Sequence, residues 1–275
     1  RAMVLHHLRT MRWIGVRYDL LPRESDILAL GFWQAAFTRL KDSGAIRFAT
    51  QGKAKGCWVM DLLDAAEAED PGASEAPERT GAEAAKIIVR SNGTVTYVGK
   101  DIAYQLWKFG LLGRDFFYAT LDPGALPANS TDHRFSSVGA ALGAAAAPVW
   151  KTCSSDEAPG CDKPGFGGGA RVYNVIDVRQ SYIQKVVSLG LRALGHDREA
   201  AESVHFSYEM VALTPRSVEM LGRMGLLSGP APAGGDAPAQ VSLSDEDRAK
   251  PYIEMSGRRG IGVKAEELLT SLANT

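Results

Sequence analysis

Apolar residues fall near a helical period over residues 24–44, where Ile27, Leu28, Ala35, Ala36 and Leu40 recur and Gly44 is a natural stop. Two short apolar runs, 45–49 and 57–60, are separated by glycines and lysines and predict a hairpin. The run KIIVR at 86–90 predicts a strand. Asn92-Gly93 predicts a tight turn because both residues tolerate positive φ, and 94–98 is the expected returning strand. Residues 101–109 then predict a helix. Further along, RVYNVID at 171–177 is apolar on both faces, the pattern of a strand buried in a parallel sheet. Residues 180–195 predict a helix with Ile183, Val187, Leu191 and Leu194 on one face and Gly195 closing it. Residues 202–213 are strand-like, 252–255 a short strand, and 264–272 a final helix. Strand, helix and strand in series predict an α/β fold with a parallel sheet and crossover helices. Such sheets bind ligands beyond the carboxyl ends of their strands. No internal repeat interrupts the series.

Two stretches break the pattern. Residues 61–83 hold Asp61, Asp64, Glu67, Glu69, Asp70, Glu75, Glu78 and Glu83 against the single base Arg79, which predicts a solvated excursion in preference to an acidic docking site. Residues 121–169 hold many glycines and an alanine run, and are expected to be an irregular insertion contributing little core. The expected organisation is therefore a first core part at 1–120 with its acidic excursion at 61–85, an insertion at 121–170, a second core part at 171–228, a flexible connector at 229–248 (GPAPAGGDAPAQ within it), and a loop with its following helix at 249–275. A length of 275 residues suits one large domain or two small ones, and 45% apolar with 23% charged residues is ordinary globular composition. The 31 basic and 32 acidic residues leave a net charge of −1, which excludes a wholesale polybasic nucleic-acid binder but not a local basic groove. No apolar run approaches the ~20 residues of a membrane span. Three cysteines do not make a disulfide framework and fit a reducing, cytoplasmic setting. The chain opens on Arg1 with no apolar signal segment, and is expected to be cut from something longer.

Three places could carry chemistry. In TYVGKDIAYQLWKF, Tyr97 is expected to end a strand and Asp101 to begin a helix, where the helix dipole keeps a carboxylate ionised at the ligand end of the sheet. Taken alone, the plainer assignment is a helix cap and a packed aromatic. Gln180, beside Asp177 and Arg179, could orient a ligand, or simply cap a helix next to a surface ion pair. Met255, Ser256, Gly257, Arg258 and Arg259 form a glycine-flanked basic loop: glycines let backbone approach phosphate and guanidinium groups grip it in forked geometry, the alternative being a mobile basic turn. Cys153, Cys161 and His133 lack the spacing of a zinc site, so no metal ligand is assigned. Gly195-His196 closes a helix instead of opening one. Neither a GxxxxGK[ST] phosphate loop nor a GxSxG elbow is present.

Taken in order, the blocks VRSNGTVTYVGKDIAYQLWKF, VYNVIDVRQSY with ALGHDREAAESVHFSYEMV, and EMSGRRGIGVKAEELL resemble the catalytic core of arginyl-tRNA synthetase, a class I aminoacyl-tRNA synthetase. The resemblance implies a Rossmann-like parallel sheet, incomplete at its N-terminus and carrying an irregular insertion. It also implies ATP-dependent ligation of L-arginine to tRNA(Arg) through an arginyl-adenylate. Tyr97 and Asp101 match the Tyr-x-x-x-Asp element that holds the guanidinium, and Gln180 matches the glutamine after the central strand. The strand with His205, Phe206 and Met210 resembles the one bordering adenine. The last block resembles the KMSKS loop over the ATP phosphates, with Met255 and Gly257 toward ATP and Ser256, Arg258 and Arg259 at the reacting phosphates. Lys264 joins the two arginines as a candidate for phosphate or acceptor-stem contact. The implied partners are tRNA(Arg), arginine and ATP with Mg2+, the metal held by the phosphates without an assigned protein ligand; neither a membrane nor DNA is implied. The chemistry suits the residues: arginine is always charged, so its pocket needs a carboxylate, and an aromatic face adds cation–π attraction.

Two departures stand out. Glu254 and Gly257 replace the KMSKS lysines, and no His-x-Gly-His occurs, His6 and His7 being adjacent without the glycine. A helical anticodon-binding domain is not expected within these 275 residues. The chain is expected to be the back half of a catalytic domain, clipped at both ends and unable to activate arginine alone. The runner-up is a non-catalytic paralogue or fragment that binds tRNA or arginine. A class I enzyme for another amino acid fits less well, because Asp101 favours a cationic substrate and Gln180 beside it favours arginine.

Overall fold

The computed structural model describes residues 2–61, 85–121, 149–155, 164–209, 212–228, 243–254 and 262–273. They gather into two compact units, one drawn from 18–125 and 144–208, the other from 1–17 and 209–275. The chain opens with α1 (Ala2–Trp13) in the second of these.

The first unit begins with β1 (Leu20–Leu21), α2 (Glu24–Ala29) and α3 (Phe32–Asp42). The single helix expected over 24–44 is thus two. Gly31, at φ 68°, takes the left-handed conformation that ends α2 and caps α3. β2 (Arg47–Phe48) and β3 (Trp58–Asp61) form the expected antiparallel hairpin, and β4 (Ala85–Val89) adds to it in the order β2-β3-β4. The acidic stretch between β3 and β4 lies outside the described residues at 62–84.

After β4 the turn forms but the returning strand does not. Gly93 sits at φ 81°, and the Thr94 amide donates to Asn92 Oδ1 at 3.0 Å. Only one bridge follows, Val89 with Val95. α4 (Tyr97–Lys108) then starts four residues before the expected helix. Thr96 is the reason at its N-terminus: extended at φ −79°, ψ 168°, its hydroxyl lies 3.1 and 3.0 Å from the carbonyls of Ile87 and Ile88. The core is the reason further in, since Val98, Ile102 and Leu106 recur every four residues and all are buried.

β5 (Phe117–Leu121) and β6 (Val149–Cys153) build a second sheet, ordered β1-β6-β5, with β6 parallel to β1 and antiparallel to β5. β6 corrects the picture of 121–169 as irregular, because it is the middle strand. Thr152 on it is fully buried, donating to Asp26 Oδ2 at 2.6 Å and accepting from the Arg23 amide at 2.9 Å. A strand made by non-local pairing leaves a weak local signal in five residues. The remainder of that span at 122–148 and 156–163, with His133 and Cys161, is outside the described residues.

β7 (Val172–Asp177), α5 (Ser181–Ala193), α6 (Asp197–Ala201) and β8 (Ser203–Tyr208) form the expected parallel crossover, with Asn174 opposite His205. Between β7 and α5 runs a 3-10 turn, Val178–Gln180. Asp177 shapes it: Oδ1 accepts the Arg179 amide at 2.8 Å, and the carboxylate takes both Arg179 Nε and Nη2 at 2.9 and 2.8 Å. These bonds hold the Asp177 carboxyl down at about 2. Burial of β7 on both faces is not observed. Asn174 is buried, but Tyr173, Val175, Phe206 and Tyr208 are exposed, because among the described residues β7 pairs with β8 alone and helices lie on one side.

The strand expected over 202–213 divides between units. β9 (Ala212–Leu213), α7 (Pro215–Arg223), β10 (Leu227–Ser228), α8 (Asp245–Arg248), β11 (Ile253–Glu254), β12 (Gly262–Val263) and α9 (Ala265–Ala273) make the second unit with α1. β11 pairs with β9 and β12 with β10, both antiparallel, around Val218, Leu221, Leu227 and Leu243. Thr214 caps α7 with Pro215 in its first turn. Among the described residues no helix is long and apolar enough to cross a membrane.

Two predictions follow from this packing. A Cβ at Gly99 would lie 2.7 Å from Val95 Cγ2 and 2.8 Å from the Trp33 ring. Gly99→Ala is expected to destabilise the chain by about 1–2 kcal/mol in urea unfolding, the overlap outweighing the helix preference for alanine of about 1 kcal/mol. The Asp177 carboxyl should titrate at about 2 by carbon NMR. An unfolded aspartate titrates near ~3.9, so the stability it contributes is complete above that pH and fades as pH falls toward the folded value. Arg179→Ala should raise the folded midpoint toward the ordinary one.

Candidate functional site

α4 carries the candidate site. Tyr97, Asp101, Tyr104 and Lys108 follow one another at steps of four, three and four residues and so share a face, away from the buried Val98, Ile102 and Leu106. This corrects the expected placement. Tyr97 opens the helix instead of ending a strand, and Asp101 lies in its second turn, beyond the reach of most of the N-terminal dipole. The cap is Thr96. Burial pushes the Asp101 carboxyl up from its ordinary value; Lys108 opposes that, Glu24 adds to it, and Lys100 opposes it. The side chain is nonetheless open to solvent. It accepts no hydrogen bond from a described residue.

Tyr97 is 75% exposed, and the Lys100 ammonium sits 4.8 Å from its ring centroid. Lys100 also pairs with the Glu24 carboxylate of α2. The aromatic face expected beside a substrate cation therefore faces an internal cation. Deeper on the same face, Lys108 Nζ donates to Asn174 Oδ1 at 2.8 Å and lies 4.7 Å from the Tyr104 centroid. Burial lowers the Lys108 pKa, opposed by Asp101, and raises the Tyr104 hydroxyl to about 12. Asn174 Nδ2 is buried with no hydrogen-bond partner among the described residues. Next to it in the fold, Gln105 Nε2 donates to Ser203 Oγ at 2.9 Å.

Gln180 ends the 3-10 turn, exposed, at the start of α5. Thr96 anchors the start of α4 to β4, and Lys86 of β4 places its ammonium 5.0 Å from the ring of Tyr182, two residues past Gln180. The residue before α4 and a residue in the first turn of α5 thus both touch β4. Arg179 is engaged with Asp177.

The adenine-bordering pair separates. His205 and Phe206 are neighbours in β8 and point to opposite faces. His205 Nε2 lies 3.0 Å from the Ile176 carbonyl, a hydrogen bond when that nitrogen carries the proton. Phe206 is 60% exposed on the other face, beside Val175. Met210 and the loop with Met255, Ser256, Gly257, Arg258 and Arg259 lie outside the described residues. Lys264 donates to Glu267 at 2.9 Å. Among the described residues no group of three His, Cys, Asp or Glu side chains could hold a metal ion.

Sequence reasoning missed Lys108, Tyr104, Asn174 and Glu24. Two signals were present: Lys108 stands seven residues after Asp101, a spacing that returns to the same helix face, and Asn174 is the polar interruption in an apolar strand.

No family model matches the chain. It is 34% identical over 220 residues to the arginine–tRNA ligase of Deinococcus radiodurans, covering 80% of this chain and 30% of that protein. It is 31% identical over 211 residues to the arginine–tRNA ligase of Thermococcus sibiricus, covering 76% of this chain and 27% of that one. Among solved structures, Thermus thermophilus arginyl-tRNA synthetase superposes with a TM-score of 0.55 at 25% identity, covering 86% of this chain and 35% of that chain. The chain spans under a third of the length of these two curated relatives. Sequence and fold agree: it belongs to the arginyl-tRNA synthetase family, as part of the α/β class I catalytic core.

Proposed function

We propose that the chain serves the ATP-dependent attachment of L-arginine to tRNA(Arg), by way of an arginyl-adenylate. The observation that carries this reading is Asp101, an accessible, desolvated carboxylate one turn from Tyr97, in a chain of this family. Asp101 takes the guanidinium in forked geometry, which a lysine ammonium cannot match. The incoming cation exchanges places with Lys100 over the Tyr97 ring, and Lys100 keeps its ion pair with Glu24. Gln180 orients the amino acid from the start of α5.

The arginine carboxylate attacks the α-phosphate of ATP and pyrophosphate leaves. A hydroxyl of the terminal ribose of tRNA then takes the arginyl group, releasing AMP. No covalent bond to the protein forms; the protein positions reactants and stabilises charge. Phe206, on the open face of β8, and His205 and Met210 on the same segment are assigned to the adenine side by resemblance. Met255, Ser256, Gly257, Arg258 and Arg259 are assigned to the phosphates, with Mg2+ accompanying ATP. The setting is the cytoplasm.

The absence of His-x-Gly-His within these 275 residues favours a second reading, a non-catalytic relative that binds arginine or tRNA. It also leads us to expect no pyrophosphate exchange from this chain alone. Exchange by the full-length gene product, with arginine preferred over lysine and with and without tRNA, separates the two readings.

Asp101→Asn is expected to weaken arginine binding to the chain by about 1.5–3 kcal/mol, the worth of a hydrogen bond to a charged group. Calorimetry checks this, and unchanged affinity would remove Asp101 from the pocket.

A further inference from the structure

We infer that Lys108 is a positioning residue for the candidate arginine pocket: clamped by Asn174 above the Tyr104 ring, it presents a fixed ammonium to Asp101 along α4 and holds that carboxylate charged and aimed outward. The inference deepens the proposed function and rests on it for the identity of the substrate. The coupling itself is independent of any ligand.

The geometry comes first. Asp101 and Lys108 are seven residues apart on one helix face, about 10.5 Å along the axis. A long helical side chain leans toward the N-terminus. Lys108 does so, since its ammonium sits 4.7 Å from the centroid of Tyr104, one turn earlier. That brings the charge to within three residues of Asp101 along the helix. Asn174, from β7, fixes it there through the 2.8 Å bond from Lys108 Nζ to Oδ1.

Asn174 is the unexpected partner. It is only 6% exposed, and its Nδ2 has no hydrogen-bond partner among the described residues. An apolar residue at this place in an apolar strand would avoid that loss. A carboxamide satisfies half of its own needs and locates the lysine. Holding a cation at this depth is the one evident gain.

The charged groups acting on Asp101 are Glu24 of α2 and Lys100 and Lys108 of α4. Lys100 is committed to Glu24. On the other elements packed against α4, Arg39 of α3 donates to the carbonyls of Leu111 and Leu112, Lys86 of β4 lies over the Tyr182 ring, and Lys185 of α5 is exposed. Lys108 is therefore the cation acting on Asp101 that, among the described residues, is not paired with another carboxylate. Burial raises Asp101 and lowers Lys108, and their mutual attraction opposes both. With Lys108 behind it, the carboxylate meets a second cation from the solvent side, where Tyr97 stands.

The test is a carbon NMR titration of Asp101 in the ligand-free 275-residue chain. Lys108→Met is expected to raise the Asp101 midpoint by about one pH unit. Lys108→Arg should restore it. Asn174→Leu, which keeps the charge and removes the seat, should raise it by less. An unmoved midpoint in Lys108→Met, with amide spectra otherwise like the parent chain, overturns the inference. If Lys108→Met does not fold, Asn174→Leu decides by the same criterion. Arginine binding by the parent chain is measured alongside: its absence defeats the substrate reading, whereas an unmoved midpoint defeats the coupling.

Discussion

Burial of the apolar stripe on α4 sets the azimuth of that helix, and the site inherits it. Val98, Ile102, Ala103 and Leu106 are all nearly or fully enclosed. Burying a side chain of the larger kind contributes roughly 1.5–3 kcal/mol. An exposed ion pair such as Lys100–Glu24 contributes about 0–1 kcal/mol. The core therefore decides which way Asp101 faces, and surface charge follows. Two glycines let the neighbours close in: Gly99 admits the Trp33 ring of α3, and Gly190 of α5 admits Ile102. A helix wedged on both sides has no freedom to turn Tyr97 and Asp101 elsewhere.

Polar bonds then complete what apolar packing leaves loose. Thr96 ties the start of α4 to β4, Asp26 and Thr152 tie α2 to β6, and Lys108 with Asn174 ties the end of α4 to β7. The carboxylates of this unit divide by how fully they are satisfied. Asp26 is sealed and takes donors from Thr152 and Arg23. Asp115 takes the Trp107 indole and the Tyr118 hydroxyl. Asp101 has charged neighbours but accepts no hydrogen bond from a described residue.

Much of this was legible in the chain itself. The hairpin at β2 and β3, the strand β4, and the crossover from β7 through α5 to β8 stand where periodicity put them, because each rests on local pattern: alternation, turn residues, an apolar face. The family blocks were legible too, and the relatives agree with them. Misreadings came where a local signal met a stronger non-local one. The Asn92-Gly93 turn formed, yet the strand after it gave way to α4 once Val98 and Ile102 could be buried. β6 sat unmarked in a glycine- and alanine-rich stretch because β1 lies far from it in sequence and residues 122–148 separate it from β5.

Residue types and spacing by themselves determined the α/β character, and the order of the sequence blocks carried the resemblance to arginine–tRNA ligases. Tertiary structure decided the rest. It placed Tyr97 and Asp101 on one helix face, set His205 and Phe206 on opposite sides of a strand, and seated Lys108 against Asn174. Periodicity records which neighbours along the chain share a surface. It is blind to which surface a second element will press against, because that depends on contacts closed across many residues and on the solvent they exclude.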